Sequence, residues 1–381
     1  MHKPLDLRTL NRTLLSRQFL LERRAMPAQD AVAHLLGLQS QQPTSPYPGL
    51  WSRLDGFRFG ELGSLLTGRT LVRLVLMRGT VHLVTAADAL RLRPWLQPML
   101  DRGLRASPWA AGCAGVDRAT AVAYSRALLA DRPLSSAELR AGLAERFPDA
   151  DPLALLNALR LWAPLVQVPP RGLWGQNAGP RHAMLDAWAG APLAEDPDLP
   201  GLVRRYLAAF GPATPADMQK WSGRTGLKQV FAGLPLRTYT AEDGRVLYDL
   251  PDAELADGDR PVTARLVADF DNLLLSHADR ARILAPADRS RVISVNGMVK
   301  GTVLVDGFVG GTWQFAGSAG GSRPARGRGG RREDEDTAAI SVTPFAPLRP
   351  ADRDALEADA LRLLAAAHPD APAHAVRFTA P

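Results

Sequence analysis

Thr214-Pro215-Ala216-Asp217-Met218-Gln219-Lys220-Trp221-Ser222-Gly223-Arg224-Thr225-Gly226-Leu227, followed by two β-rich runs either side of Asp243-Gly244, decides the fold. A threonine followed by proline is a helix start, because proline fits the first helical position, where its missing N–H costs nothing. Gly223-Arg224-Thr225-Gly226 turns the chain, and a second helix is expected over residues 227–234. The runs 236–240 and 246–250 then pair across Asp-Gly, a strong hairpin signal. Helix, short turn, helix and hairpin is the order of a winged helix-turn-helix.

Two earlier stretches repeat that order. In the first, apolar residues recur at helical spacing over residues 5–24 with basic residues between them, predicting an amphipathic helix with a cationic outer face. Ala31, Val32, Leu35, Leu36 and Leu38 make a second stripe that ends at Gln39-Ser40-Gln41-Gln42-Pro43. Short helical pieces are expected after Pro46 and Pro48 and over 61–66, and the runs 71–77 and 80–84 read as a hairpin turned at Arg78-Gly79. In the second unit, a helix over 117–130, a capping box at Ser135-Ser136-Ala137-Glu138 and a helix over 153–162 precede a strand, turn and strand within 165–175. Beyond Pro261 the pattern becomes β-rich over 291–295, 298–305 and 308–315, joined at Asn296-Gly297 and Asp306-Gly307. A further strand over 340–345 and a helix over 352–367 complete it.

The expected class is α+β: three tandem winged-helix units followed by a small β-barrel-like domain. The boundaries fall at 1–110, 111–200, 201–258 and 259–381, with 317–337, rich in Gly and Arg and then acidic, read as a disordered loop. For that loop a simple solvated role ranks ahead of a loose nucleic-acid contact.

The chain carries a formal charge of +7, and residues 1–105 hold 15 Lys/Arg against 7 Asp/Glu. The excess therefore surrounds the glutamines, as expected of a lobe that attracts DNA; an ordinary arginine-rich surface is the competing reading. Cys113 is the only cysteine, so no internal disulfide and no thiolate cluster can form. No apolar run reads as a signal or a membrane span, and a cytoplasmic monomer is expected. Nucleophile elbow, Walker A and His-Glu-x-x-His motifs are missing, and no cofactor or metal is expected. The pair His277 and Asp279 reads as a structural hydrogen bond ahead of a ligand pair.

The residue before a proline is pushed towards extended geometry, so Gln42 and its neighbours should leave the helix. In an extended segment residues i and i+2 share a face, and Gln39 and Gln41 can then aim two uncharged amides at one point. Arg78 reads equally as a phosphate contact or a solvated turn residue. For His82 a satisfied structural role ranks ahead of a place in the same cleft.

Gln39-Ser40-Gln41, Arg78-Gly79-Thr80-Val81-His82, Asp269-Phe270-Asp271-Asn272-Leu273-Leu274-Leu275-Ser276-His277-Ala278-Asp279-Arg280, and Val295-Asn296-Gly297 with Gly301-Thr302-Val303 resemble the AlkZ/YcaQ superfamily in this order. The resemblance covers nearly the whole chain. It implies tandem winged helices and a bacterial DNA glycosylase that removes alkylated purines, with Gln39 and Gln41 catalytic and Lys300, on a C-terminal hairpin, as a DNA contact. The AlkZ-like branch carries an aliphatic residue between its glutamines where this chain has Ser40. Amides are weak bases, so such a pair suits a base that already carries positive charge, as an N7- or N3-alkylpurine does. The expected activity is monofunctional hydrolysis of the N-glycosidic bond in double-stranded DNA carrying alkylated purines, bulky adducts and crosslinks included. The alternative is a winged-helix DNA-binding protein without catalysis.

Overall fold

A computed structural model describes residues 4–316 and 337–380. Within them the mixed α+β class holds. The hairpin of the first unit forms as read: β2 (Leu71–Val75) pairs with β3 (Val81–Thr85), and β1 (Leu38–Gln39) adds to the far side of β3. In the second unit Asp117 caps Arg118–Leu128, Ser135 and Glu138 form the capping box of Ser136–Arg146, and Pro152–Trp162 follows. In the third, Thr214 and Asp217 close a capping box on Pro215–Ser222, Lys228–Ala232 is the short second helix, and β7 (Arg237–Thr240) pairs with β8 (Val246–Asp249). The helices from Arg118, Ser136, Pro152 and Pro215 start where a side chain at the cap position satisfies a free backbone N–H.

Several expectations fail for physical reasons. The helix expected over 5–24 is Leu7–Arg17 and stops where Phe19 turns left-handed at φ 57°. Its cationic face is partly internal, since Arg12 is fully buried. The helix before the glutamines also stops early: Ala28–His34 ends at Leu36 and Gly37, with φ 54° and 96°, so glycine geometry rather than Pro43 releases the chain. The strand β5 (Leu165–Val168) pairs with β6 (Arg181–Met184), leaving residues 169–180 to turns instead of a return strand at 173–175. β4 (Leu134–Ser135) edges the same sheet, whose order is β1-β3-β2-β5-β6-β4. One sheet thus spans residues 38–184, across the boundary expected at 110. The 20-residue helix Ala86–Arg105, unassigned in the sequence because Pro94 and Pro98 lie inside it, packs beneath that sheet.

Among the described residues the C-terminal part is an open sheet, not a barrel. Its order is β13 (Ala373–Phe378), β12 (Thr337–Pro344), β11 (Phe308–Ala316), β10 (Gly301–Val305) and β9 (Arg265–Val267), with β13 and β9 as edges. The helix Pro350–Ala367 covers one face, where Leu356, Leu363 and Leu364 bury Leu266, Val303, Ile340 and Val342. A helix doing that work removes the need for the sheet to close on itself. The strand expected at 291–295 is the short helix Arg289–Val292, and Asn296-Gly297 turns between one isolated bridge, Ile293 to Val299. All but the last residue of the loop at 317–337 lie outside the described residues.

Part of the N-terminal charge excess is spent on ion pairs within the molecule. Arg17 pairs with Asp249 at 2.7 Å, Arg23 with Asp359 at 2.9 Å, Arg53 with Asp271 at 2.8 Å, and both Arg8 and Arg12 with Asp306. These bonds interlock the first segment with carboxylates more than 230 positions away in most cases. A DNA-facing basic lobe is therefore a smaller part of that excess than the charge count suggests.

Candidate active site

Gln39 sits at the end of β1 opposite His82, and the Ser40 N–H donates to the Val81 carbonyl at 2.8 Å, so the motif extends along the edge of the hairpin. The side chains of Gln39 and Gln41 both turn to the segment 78–81, and that of Ser40 turns to Arg73. On the Ser40 side, Arg73 from β2 donates through Nε to Ser40 Oγ at 2.8 Å and through Nη2 to its carbonyl at 2.9 Å. Arg73 is buried, and burial foremost, then the neighbouring Arg171, lowers its pKa to about 10, which leaves it charged at neutral pH. No carboxylate pairs with it among the described residues. A serine suits this position because an aliphatic side chain would leave that guanidinium without its hydroxyl acceptor.

On the other face the amides are held by donors. Arg78, left-handed at φ 57° in the Met77–Gly79 turn, donates through Nη2 to Gln39 Oε1 at 2.7 Å and through Nη1 to the Trp221 carbonyl at 2.5 Å. The Val81 N–H donates to Gln41 Oε1 at 3.1 Å. A guanidinium and a backbone N–H can only donate, so both amides turn their oxygens to the protein. Their NH₂ ends bond to nothing among the described residues. Arg78 points inward, where burial foremost and Arg280 second lower its pKa to about 10. It holds Gln39 in place of standing free at the turn.

His82 is buried beside it. Its Nδ1 faces the Thr80 carbonyl at 3.0 Å and its Nε2 faces Arg78 Nη2 at 3.4 Å. Arg78 donates, so Nε2 accepts and Nδ1 carries the proton. Burial, reinforced by Arg78, lowers the pKa to about 3 and keeps the ring neutral.

Residues from later in the chain brace the motif. Asn272 Nδ2 donates to the Gly37 carbonyl at 2.8 Å, and Asp271 both caps Asn272–Leu275 and takes a two-pronged bond from the buried Arg53. His277 and Asp279 do not bond each other: His277 Nε2 meets the Phe210 carbonyl at 3.0 Å, and Asp279 accepts from Arg245 at 2.8 Å. Lys300 is exposed and lines a cleft of about 840 Å³ that starts at Gln42, but it does not touch the glutamines. Gln39, Gln41, Arg78 and His82 thus form one constellation, with Lys300 apart. Arg73, Arg53 and Asn272 went unassigned in the sequence; a charged residue inside the apolar run Leu71-Val72-Arg73-Leu74-Val75 was the available signal for the first.

The DNA glycosylase AlkZ-like family matches residues 32–366. A protein of Streptomyces sahachiroi named interstrand DNA cross-link repair glycosylase is 27% identical over 330 residues, 79% of this chain and 85% of its own length. A solved structure, the Streptomyces sahachiroi DNA glycosylase AlkZ, aligns with a TM-score of 0.78 and 23% identity over 99% of this chain and 100% of that one. At that identity the likeness concerns the fold. Among the described residues no helix is long and apolar enough to cross a membrane.

Proposed function

The chain belongs to the AlkZ-like DNA glycosylase family and is an enzyme acting on N-glycosyl bonds in DNA, and from that premise we propose that it hydrolyses the bond to cationic N7- or N3-alkylpurines in duplex DNA, with Gln39 and Gln41 as its catalytic residues. The observation that carries the reading is the pair of amides with their oxygens taken and their NH₂ ends free. One such donor can hold a water by one lone pair and leave the other lone pair for C1′. Arg78, donating into Gln39 Oε1, polarises that amide and strengthens its NH₂ as a donor.

The chemistry asks for little more. As the C1′–N9 bond breaks, its electron pair neutralises the charge already on the purine, so no acid need protonate the leaving group. Water oxygen bonds to C1′, one proton passes to solvent, and an abasic site remains. Placement of the water against an oxocarbenium-like centre is the enzyme's contribution. His82, kept neutral, adds no second cation beside that centre.

The division into three winged-helix units acting on one duplex as a monomer belongs to the same proposal, as does Lys300 as a DNA contact. It is supported by the helix and hairpin order at 28–85, 118–184 and 215–249. The relative named for cross-link repair makes a crosslinked duplex the second substrate to try. The test is release of free base from a duplex with one N7-methylguanine, in EDTA, by the wild type, Gln39→Ala and Gln41→Ala. Each variant is expected to lose roughly a hundredfold or more in rate while duplex binding persists. Duplex binding by the wild type with no release from either substrate would leave a DNA-binding protein instead.

A further inference from the structure

The chain that carries the glutamines runs on into a wall. Gln42 lines the cleft of about 840 Å³, a size within the roughly 300–1,000 Å³ that holds drug-sized ligands. Its far side is β11 and β12 of the C-terminal sheet, where residues of both faces line it. The paired Thr312 with Thr343 and Gln314 with Ser341 line it from the face opposite Val342, and Trp313 and Phe315, which pack with the helix Pro350–Ala367, line it as well. Trp174 supplies an aromatic side. It is fixed by its Nε1 bond to the Ala367 carbonyl at 2.7 Å and by edge contacts with Phe59 and Phe315.

Among the described residues Asp269 and Lys300 are the charged side chains lining this space. The turn at Asp269-Phe270-Asp271, with Phe270 left-handed at φ 54°, sends the two aspartates to different fates. Asp271 is neutralised by Arg53, whereas no cation pairs with Asp269 among the described residues. Burial pushes the Asp269 carboxyl up to about 6, with the Ser45 hydroxyl pulling it partway back. A carboxyl kept at such a cost in a cleft is where a ligand is expected to supply the missing charge.

We propose that this cleft seats the lesion as a planar organic cation, an alkylpurine together with a substituent larger than methyl, with Asp269 opposing its charge and Trp174 stacking on its ring. This rests on the glycosylase reading above. The carboxylate and the aromatic face both favour a cation over the neutral purine. The hydroxyl and amide row on the sheet offers hydrogen bonds to exocyclic groups of the ring or its substituent.

Two measurements on the full chain test it separately from the catalytic role of the glutamines. In the first, quenching of tryptophan fluorescence compares 1-methyladenosine, a cationic purine nucleoside, with adenosine. Wild type is expected to favour the cation about tenfold, as one charged contact allows, and Asp269→Asn to lose that preference while melting no lower at neutral pH. In the second, single-turnover base release is followed from duplexes carrying N7-methylguanine or a bulky N7-arylmethylguanine. Asp269→Asn should slow both, and Gln314→Arg, which fills the cleft from the sheet side, should slow the bulky substrate more. No cation preference in the wild type, or a preference and release rates unchanged in Asp269→Asn, overturns the proposal. Cation preference that depends on Asp269, in a protein that releases no base, upholds the cleft and removes the catalytic reading.

Discussion

At Gln39 the carbonyl oxygen is given to a guanidinium, so a ligand meets the NH₂ end of the amide. Gln39→Glu separates the two ends. The carboxylate keeps, as an ion pair, the bond to Arg78 but has no hydrogen to offer outward. We expect base release by Gln39→Glu to fall as far as in Gln39→Ala, with a melting temperature no lower than that of the wild type. Wild-type release by the glutamate variant would mean that the oxygen end carries the reaction. The type and spacing of the two glutamines were legible in the sequence, and so was the extended chain at Gln39, which is a local property. Their polarity was not, since it is set by Arg78 and Val81, some 40 positions further on.

The element that presents them is a two-residue strand held by its neighbours. Gly37 lets it begin: a Cβ there would meet Val84 Cγ1 at 2.4 Å and the Leu83 carbonyl at 2.8 Å, at a φ of 96°. Gly37→Ala should therefore lower stability by several times the ordinary glycine-to-alanine effect of about 1 kcal/mol, read as a shifted denaturation midpoint. Ser40 and Arg73 form the other anchor. Ser40→Val strands a buried guanidinium donor and should cost about 1–3 kcal/mol. Paired with Arg73→Met, which removes the charge as well, the double variant should be less destabilised than the sum of the two singles. Additive losses would show that the contact contributes nothing specific. Caps such as Ser135 with Glu138 and Thr214 with Asp217, and the hairpins of β2 with β3 and β7 with β8, were readable because residues within a few positions settle them. The misread elements, such as Ala86–Arg105 with its two prolines and the strand expected at 291–295, are those whose packing partners outweigh their local signals.

Across the whole molecule, buried histidines make stability depend on pH. Burial lowers the pKa of His82 to about 3 and of His182 to about 4, from an ordinary 6.5. The folded state then binds fewer protons than the unfolded state between those values, so stability is lost as pH falls below about 6.5. Asp269, raised to about 6, acts in the opposite sense and stabilises less as pH rises through that value. Melting temperature should fall from pH 6.5 towards pH 4, and His182→Leu should flatten that slope; a slope unchanged in the variant would assign it to carboxylates. By itself the sequence determined capped helix starts such as Pro215 and Ser136, turns such as Asp243-Gly244, the mixed class and the pair of glutamines, all products of short-range sterics and hydrogen bonding. Only the tertiary structure decided that the N-terminal arginines turn inward, that Ser40 is matched to Arg73, and that a cleft with one unpaired carboxylate opens beside Gln42. Those outcomes join residues such as Arg53 and Asp271, 218 positions apart, and the burial that makes such a bond strong exists only once the chain has closed around it.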